Sequence, residues 1–188
     1  RSLKNWKPLV YETQQDIMKK TFEPPKFLIE DILPVGLTCL AGRPKRGKTR
    51  FIDWVSQCIA EGKPVWDKQT EQGQVLQLLL EDTQDDVHLR GVEMNIKDGH
   101  PNKIPITMEH WDGSQLGKGV EEHIEDFIER VDKPQLVIID TYVKVSAYKK
   151  GKDIYREQSV ELGRLQKIAK MNKIAIVLIH HTTKATYE

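Results

Sequence analysis

The octapeptide Gly42-Arg43-Pro44-Lys45-Arg46-Gly47-Lys48-Thr49 constrains this chain more than any other stretch. It fulfils the spacing G-x-x-x-x-G-K-[ST] of a Walker A phosphate loop at every fixed position. An aliphatic run, Leu37–Ala41, precedes it, and a helical pattern over Phe51–Ala60 follows. That order of strand, glycine-bounded loop and helix has a physical reason. The glycines let the backbone wrap so that successive N–H groups point at phosphate oxygens, and the helix that starts there adds its positive end. In such a loop Lys48 reaches the outer phosphates and the Thr49 hydroxyl ligates Mg2+, so ATP and Mg2+ are the expected ligands. Arg43, Lys45, Arg46 and Arg50 add positive charge around the loop with no acid among them. They read either as further phosphate or DNA affinity or as solvated loop charge. All of Gly42 to Arg50 is the expected nucleotide contact.

The rest of the chain fits a parallel α/β sheet covered on both faces. Short, nearly continuous aliphatic runs recur at Val75–Leu80, Leu136–Ile139 and Ile174–Ile179, with a weaker one at Ile104–Met108. Strands buried on both faces have this texture. Between them, Val120, Ile124, Phe127, Ile128 and Val131 form one apolar helical stripe, and Leu162, Leu165, Ile168 and Ala169 form another on a helix from about Asp153 to Met171. Strands alternating with helices give a doubly covered sheet. Residues 1–25 are polar, with a helix expected over Val10–Lys20 and a stop at Pro24-Pro25, and read as a linker or docking arm. The ATPase core is expected over 26–188. Trp6, Trp54, Trp66 and Trp111 read as packing residues, and Cys39, inside the first strand, as core.

In an open parallel sheet the ligand crevice lies at the carboxyl ends of the strands, and three further strands end in polar groups. Leu136–Ile139 ends in Asp140, the Walker B pattern, whose carboxylate is expected on Mg2+ through water. Val75–Leu80 ends in Glu81-Asp82. Glu81 is the expected base that orients water, with Asp82 as its supporter or the N-cap of the next helix. Ile174–Ile179 ends in His180-His181-Thr182-Thr183-Lys184. Neighbours on a strand face opposite ways, so the two histidines are a poor metal clamp. His181 is expected to face the γ-phosphate and His180 to be structural. His88, His100, His110 and His123 have no ligand spacing.

The chain of 188 residues carries a net charge of +1, with 29 Lys and Arg against 28 Asp and Glu. That balance gives no global footprint for nucleic acid, yet it hides segregation. Thr141–Lys152 holds Lys144, Lys149, Lys150 and Lys152 with no acid before Asp153, and Tyr142 and Tyr148 lie among them. Such a loop suits a single-stranded DNA backbone, with a tyrosine to stack a base; a solvated loop explains the same residues. No apolar run approaches the roughly 18 residues of a membrane span, and two cysteines suit a reducing cytoplasm.

The stretch from Phe27 to Ile29-Glu30, then Leu40-Ala41-Gly42-Arg43-Pro44-Lys45 and Gly47-Lys48-Thr49, resembles the RepA-like ATPases of the RecA/DnaB superfamily. Leu80-Glu81-Asp82 with the later Arg90, Ile139-Asp140-Thr141, and His180-His181-Thr182-Thr183-Lys184 extend the likeness to about Lys184, in the family's order. The group includes plasmid and phage replicative helicases and the ATPase modules of primase–helicase fusions. The resemblance implies a RecA-like core with the phosphate-loop strand near the centre of the sheet, Glu81 as base and His181 as sensor. It also implies a basic residue near the phosphates or the loop beyond at Lys184, and a ring, commonly a hexamer, with an arginine finger from the neighbouring subunit. It implies a core running past the paired histidines, so the chain reads as C-terminally truncated. Two other functions fit the same motifs: a non-motor, ATP-dependent DNA-binding protein of the recombination-mediator type, and a small-molecule kinase.

Overall fold

The computed structural model describes residues 9–147 and 154–182, with the side chains of 154, 155 and 157 left aside. Five strands form one parallel sheet: β3 (Gly36–Gly42), β4 (Gln74–Leu79), β5 (Lys103–Thr107), β6 (Pro134–Asp140) and β7 (Ala175–His181). Their spatial order is β3-β7-β6-β4-β5. Two short strands, β1 (Phe27–Ile29) and β2 (Leu33–Pro34), form an antiparallel hairpin beside it.

Alternation along each strand divides the core in two. Leu76, Leu78, Val137, Ile139, Ile176 and Leu178 face α4 (Val120–Arg130) and α6 (Ile154–Asn172), meeting Ile124, Phe127, Leu165 and Ile168. Val75, Leu136, Ile138, Val177 and Ile179 face the other way, onto Ile52, Val55 and Ile59 of α2 (Lys48–Glu61) and onto Leu28 and Leu33 of the hairpin. Burial of each such side chain contributes about 1.5–3 kcal/mol. β6 lies between two strands and under helices on both faces, which is why four consecutive aliphatics, Leu136–Ile139, are all buried.

All five expected strands are present, and the expected helices are found at α2, α4 and α6. The expected helix at Val10–Lys20 is shorter, α1 (Gln14–Met18), with no buried residue. The single turn α5 (Tyr142–Val145) is an addition to the expected helices, and the helix expected after Asp82 is α3 (Gln84–Glu93), which buries no residue. Its start is nevertheless written in a capping box: Asp86 N–H donates to Thr83 Oγ1 at 3.1 Å and Thr83 N–H to Asp86 Oδ2 at 2.8 Å. Thr83, not Asp82, is therefore the N-cap.

Two expectations are corrected at β3. Among the described residues it pairs only with β7 and is the sheet's edge, not near its centre, because the other four strands all lie to one side. For the same reason Cys39 is exposed, not core, whereas Cys58 on α2 is buried.

Candidate active site

The loop between β3 and α2 has the backbone that the glycines foretell. Gly47 sits at φ +78° as the N-cap of α2 and Lys45 at φ +58°. A glycine N-cap brings no side chain to the first helical N–H groups, and the first turn holds no acid. The helix start is thus a positive, donor-rich end suited to an anion. Lys48 Nζ spans the loop, donating to Gly42 O at 2.9 Å and Arg43 O at 2.7 Å. Arg43, Pro44, Lys45 and Arg46 are exposed around it. Arg50 is turned away to Glu93 at 2.6 Å, so its charge is partly spent on a surface pair worth at most about 1 kcal/mol.

Parallel register brings the strand ends to this loop. Leu79 of β4 lies level with Asp140 of β6, Asp140 with Ile179 of β7, and His181 with Gly42. Leu80 N–H donates to Asp140 O at 2.7 Å and Thr182 N–H to Gly42 O at 3.2 Å. Thr49 Oγ1 donates to Asp140 Oδ2 at 2.7 Å, joining the phosphate loop to the Walker B strand. Glu81, on the next strand, is met from two sides. Thr141 Oγ1 donates to its Oε1 at 3.3 Å, and His181 Nε2 lies 3.6 Å from its Oε2. The four residues Thr49, Glu81, Asp140 and His181, taken from four segments of the chain, therefore occupy one crevice.

This donor set fits Mg2+. Burial pushes the Asp140 carboxyl above its ordinary value; Thr49 opposes this, and the nearby Asp82 and Glu81 carboxylates push it further up. A divalent cation relieves that repulsion, and hydroxyl and carboxylate oxygens are its preferred ligands. Among the described residues no group of three or more His, Cys, Asp or Glu could hold a metal. A Thr–Asp pair leaves the remaining positions to phosphates and water, as Mg2+ commonly takes them.

Behind the crevice lies a buried ionic network that the sequence reading missed. Asp53 of α2 accepts from Arg90 Nε at 3.1 Å, from Gln77 Nε2 at 3.1 Å and from Lys103 Nζ. Arg90 also donates to Asp82 Oδ2 at 2.6 Å. One arginine thus ties the phosphate-loop helix to the residue next to Glu81. The available signal was Gln77, a lone amide inside the aliphatic run Val75–Leu80: a buried polar group needs a partner.

The structure separates other expected residues. Lys144 is exposed on α5, just past Asp140, whereas Lys149, Lys150, Lys152, Lys184 and Tyr148 lie outside the described residues. Tyr142 cannot stack a base: it is buried, with its hydroxyl donating to Glu161 at 2.6 Å. His180 is half-buried and edge-on to Tyr142, ring centres 5.9 Å apart, the structural place expected of it. Trp66 packs as expected, stacking on Phe51 at 5.9 Å and lying 5.7 Å from Trp54, though it remains 63% exposed. Cavities of about 360 Å³ (against α3 and the start of β5) and 410 Å³ (against α4) lie away from the strand ends.

A Walker A loop on a five-stranded parallel sheet, with its threonine bonded to a strand-end aspartate, defines a RecA-like P-loop nucleoside triphosphatase. The model of a family described as AAA domain matches residues 7–186, and the chain belongs to that family of P-loop ATPases. No curated protein matches the chain. No helix among the described residues is long and apolar enough to cross a membrane.

Proposed function

We propose that this chain is the ATP-hydrolysing motor domain of a replicative DNA helicase-type protein, with Mg-ATP held on Gly42–Thr49. The observation that supports it best is the placing of Glu81 beside the Thr49–Asp140 pair, on a neighbouring strand end and facing the same crevice. A kinase needs an acceptor site there; a water-activating carboxylate suits hydrolysis.

The loop N–H groups and the start of α2 bind the phosphates, and Lys48 moves its ammonium from loop carbonyls to the outer phosphate oxygens. Thr49 and, through water, Asp140 hold Mg2+, which when bound neutralises charge developing on the β- and γ-phosphate oxygens. Glu81 orients a water and takes its proton as the water oxygen bonds the γ-phosphorus. The bond to the β–γ bridging oxygen breaks, leaving ADP and phosphate. His181, at the end of β7, transmits phosphate loss to the residues that follow it in the chain. Lys144, Lys149, Lys150, Lys152 and Lys184 supply the contacts to single-stranded DNA, and subunits assemble as a ring, commonly a hexamer, with a neighbour's arginine completing each site. Residues 1–25 act as the linker or docking arm.

The test is the ATPase rate of the protein with and without single-stranded DNA. Stimulation that weakens as salt rises supports the motor reading; a rate indifferent to DNA overturns it. Stimulation without strand displacement of a forked duplex would favour the recombination-mediator type instead.

A further inference from the structure

Thr141 occupies an N-cap position but does not cap. It precedes α5 with the extended backbone of an N-cap, φ −120° and ψ 158°, yet its side chain makes no bond to the helix. Threonine at such a place ordinarily accepts from an N–H one turn ahead. Here the hydroxyl turns across to the next strand and donates to Glu81 Oε1 at 3.3 Å. Thr141 is 1% exposed, whereas the Glu81 side chain is open to the crevice. A buried donor therefore holds one oxygen of a partly exposed carboxylate. The placement is dictated by the sheet: the bond from Leu80 N–H to Asp140 O sets the residues after β4 and β6 side by side.

We propose that Thr141 is a positioning residue for Glu81. Its hydroxyl holds Oε1, leaving Oε2, the oxygen that faces His181, to accept the proton of the attacking water. Without that bond the carboxylate keeps its charge and its place at the strand end but samples other rotamers, and fewer of them align water with the γ-phosphorus. Thr141 touches neither nucleotide nor metal in this role, so binding is unaffected. The inference rests on the reading of Glu81 as the base.

The experiment compares Thr141→Val, which keeps the shape and removes the hydroxyl, with Thr141→Ser, which keeps the hydroxyl, in steady-state ATP hydrolysis and nucleotide binding. Thr141→Val should lower kcat about tenfold, as for loss of one hydrogen bond to a charged group, with KM and nucleotide affinity within about twofold of wild type. Thr141→Ser should restore most of kcat. In a Glu81→Gln background Thr141→Val should cause no further loss, because the residue it positions is gone. If Thr141→Val does not fold, Thr141→Ala against Thr141→Ser carries the same comparison. An unchanged kcat in the hydroxyl-free variant, a serine variant as slow as it, or full additivity with Glu81→Gln each overturns the proposal. Failure of the underlying reading looks different: Glu81→Gln itself then turns over like wild type, and the proposal falls with it.

Discussion

Replacing Asp53 with Asn should be among the most damaging single-atom changes available to this chain. The Asp53 side chain is 4% exposed and faces two cations that are themselves largely covered, Arg90 and Lys103, together with the Gln77 amide. An Asn amide removes the negative charge and turns an N–H2 toward one of the cations, leaving buried positive charge without its counter-charge. Breaking a buried ion pair in this way costs about 3–5 kcal/mol, against a total stability of about 5–15 kcal/mol. At about 2–4 °C per kcal/mol for a chain of this size, the melting temperature should fall by about 6–20 °C. Urea unfolding followed by circular dichroism at neutral pH measures the loss directly. The pH dependence has a definite sign. Burial pushes the Asp53 carboxyl up, but Lys103, Gln77 and Arg90 outweigh it and hold the carboxyl below its ordinary value. The stabilisation is therefore fully present above the ordinary carboxylate range and is lost as pH falls through the lowered value. The gap between wild type and Asp53→Asn should shrink in acid. A loss below about 1 kcal/mol at neutral pH, the size of a surface pair, or a gap that widens in acid would refute this account of the network.

Other substitutions probe separate links. Lys48→Ala should abolish nucleotide binding or hydrolysis while leaving the melting temperature close to wild type, as equilibrium binding of a labelled nucleotide and a thermal scan would report. Thr83→Ala removes the capping box of α3 and should cost about 1 kcal/mol in urea unfolding. Ile138→Ala opens a cavity under α2 and should cost about 2–5 kcal/mol. Replacing Lys149 and Lys150 together with Ala should weaken single-strand binding and reduce its log–log salt slope by about 1.4, at about 0.7 per phosphate contact; an unchanged slope removes these lysines from the DNA reading.

The parts of the fold that were legible are those where one physical signal acts alone. Leu136–Ile139 and Ile174–Ile179 are aliphatic without interruption because helices cover both faces, and the Gly42–Thr49 spacing admits few backbones. Asp140 and Glu81 could be placed because parallel strands put their carboxyl ends at one edge. What stayed hidden depends on long-range pairing. Nothing near Asp53 in sequence announces Arg90 or Lys103, and Thr141 looks like an ordinary N-cap until β4 is known to lie beside β6. α3 lacks an apolar stripe, so only its capping box, Thr83 to Asp86, marked it. Cys39 is exposed where a core residue was expected, because residue type says little about which strand ends at an edge.

In the proposed reading the strand-end carboxylate Glu81 turns a nucleotide-binding loop into a hydrolase. Nucleotide affinity and single-turnover ATP hydrolysis, measured side by side on wild type and Glu81→Gln, decide whether it does. Glu81→Gln should bind ATP as tightly as wild type and lose hydrolysis by about a hundredfold or more, the scale of a positioned general base. Tight binding with undiminished hydrolysis would rule Glu81 out as the base.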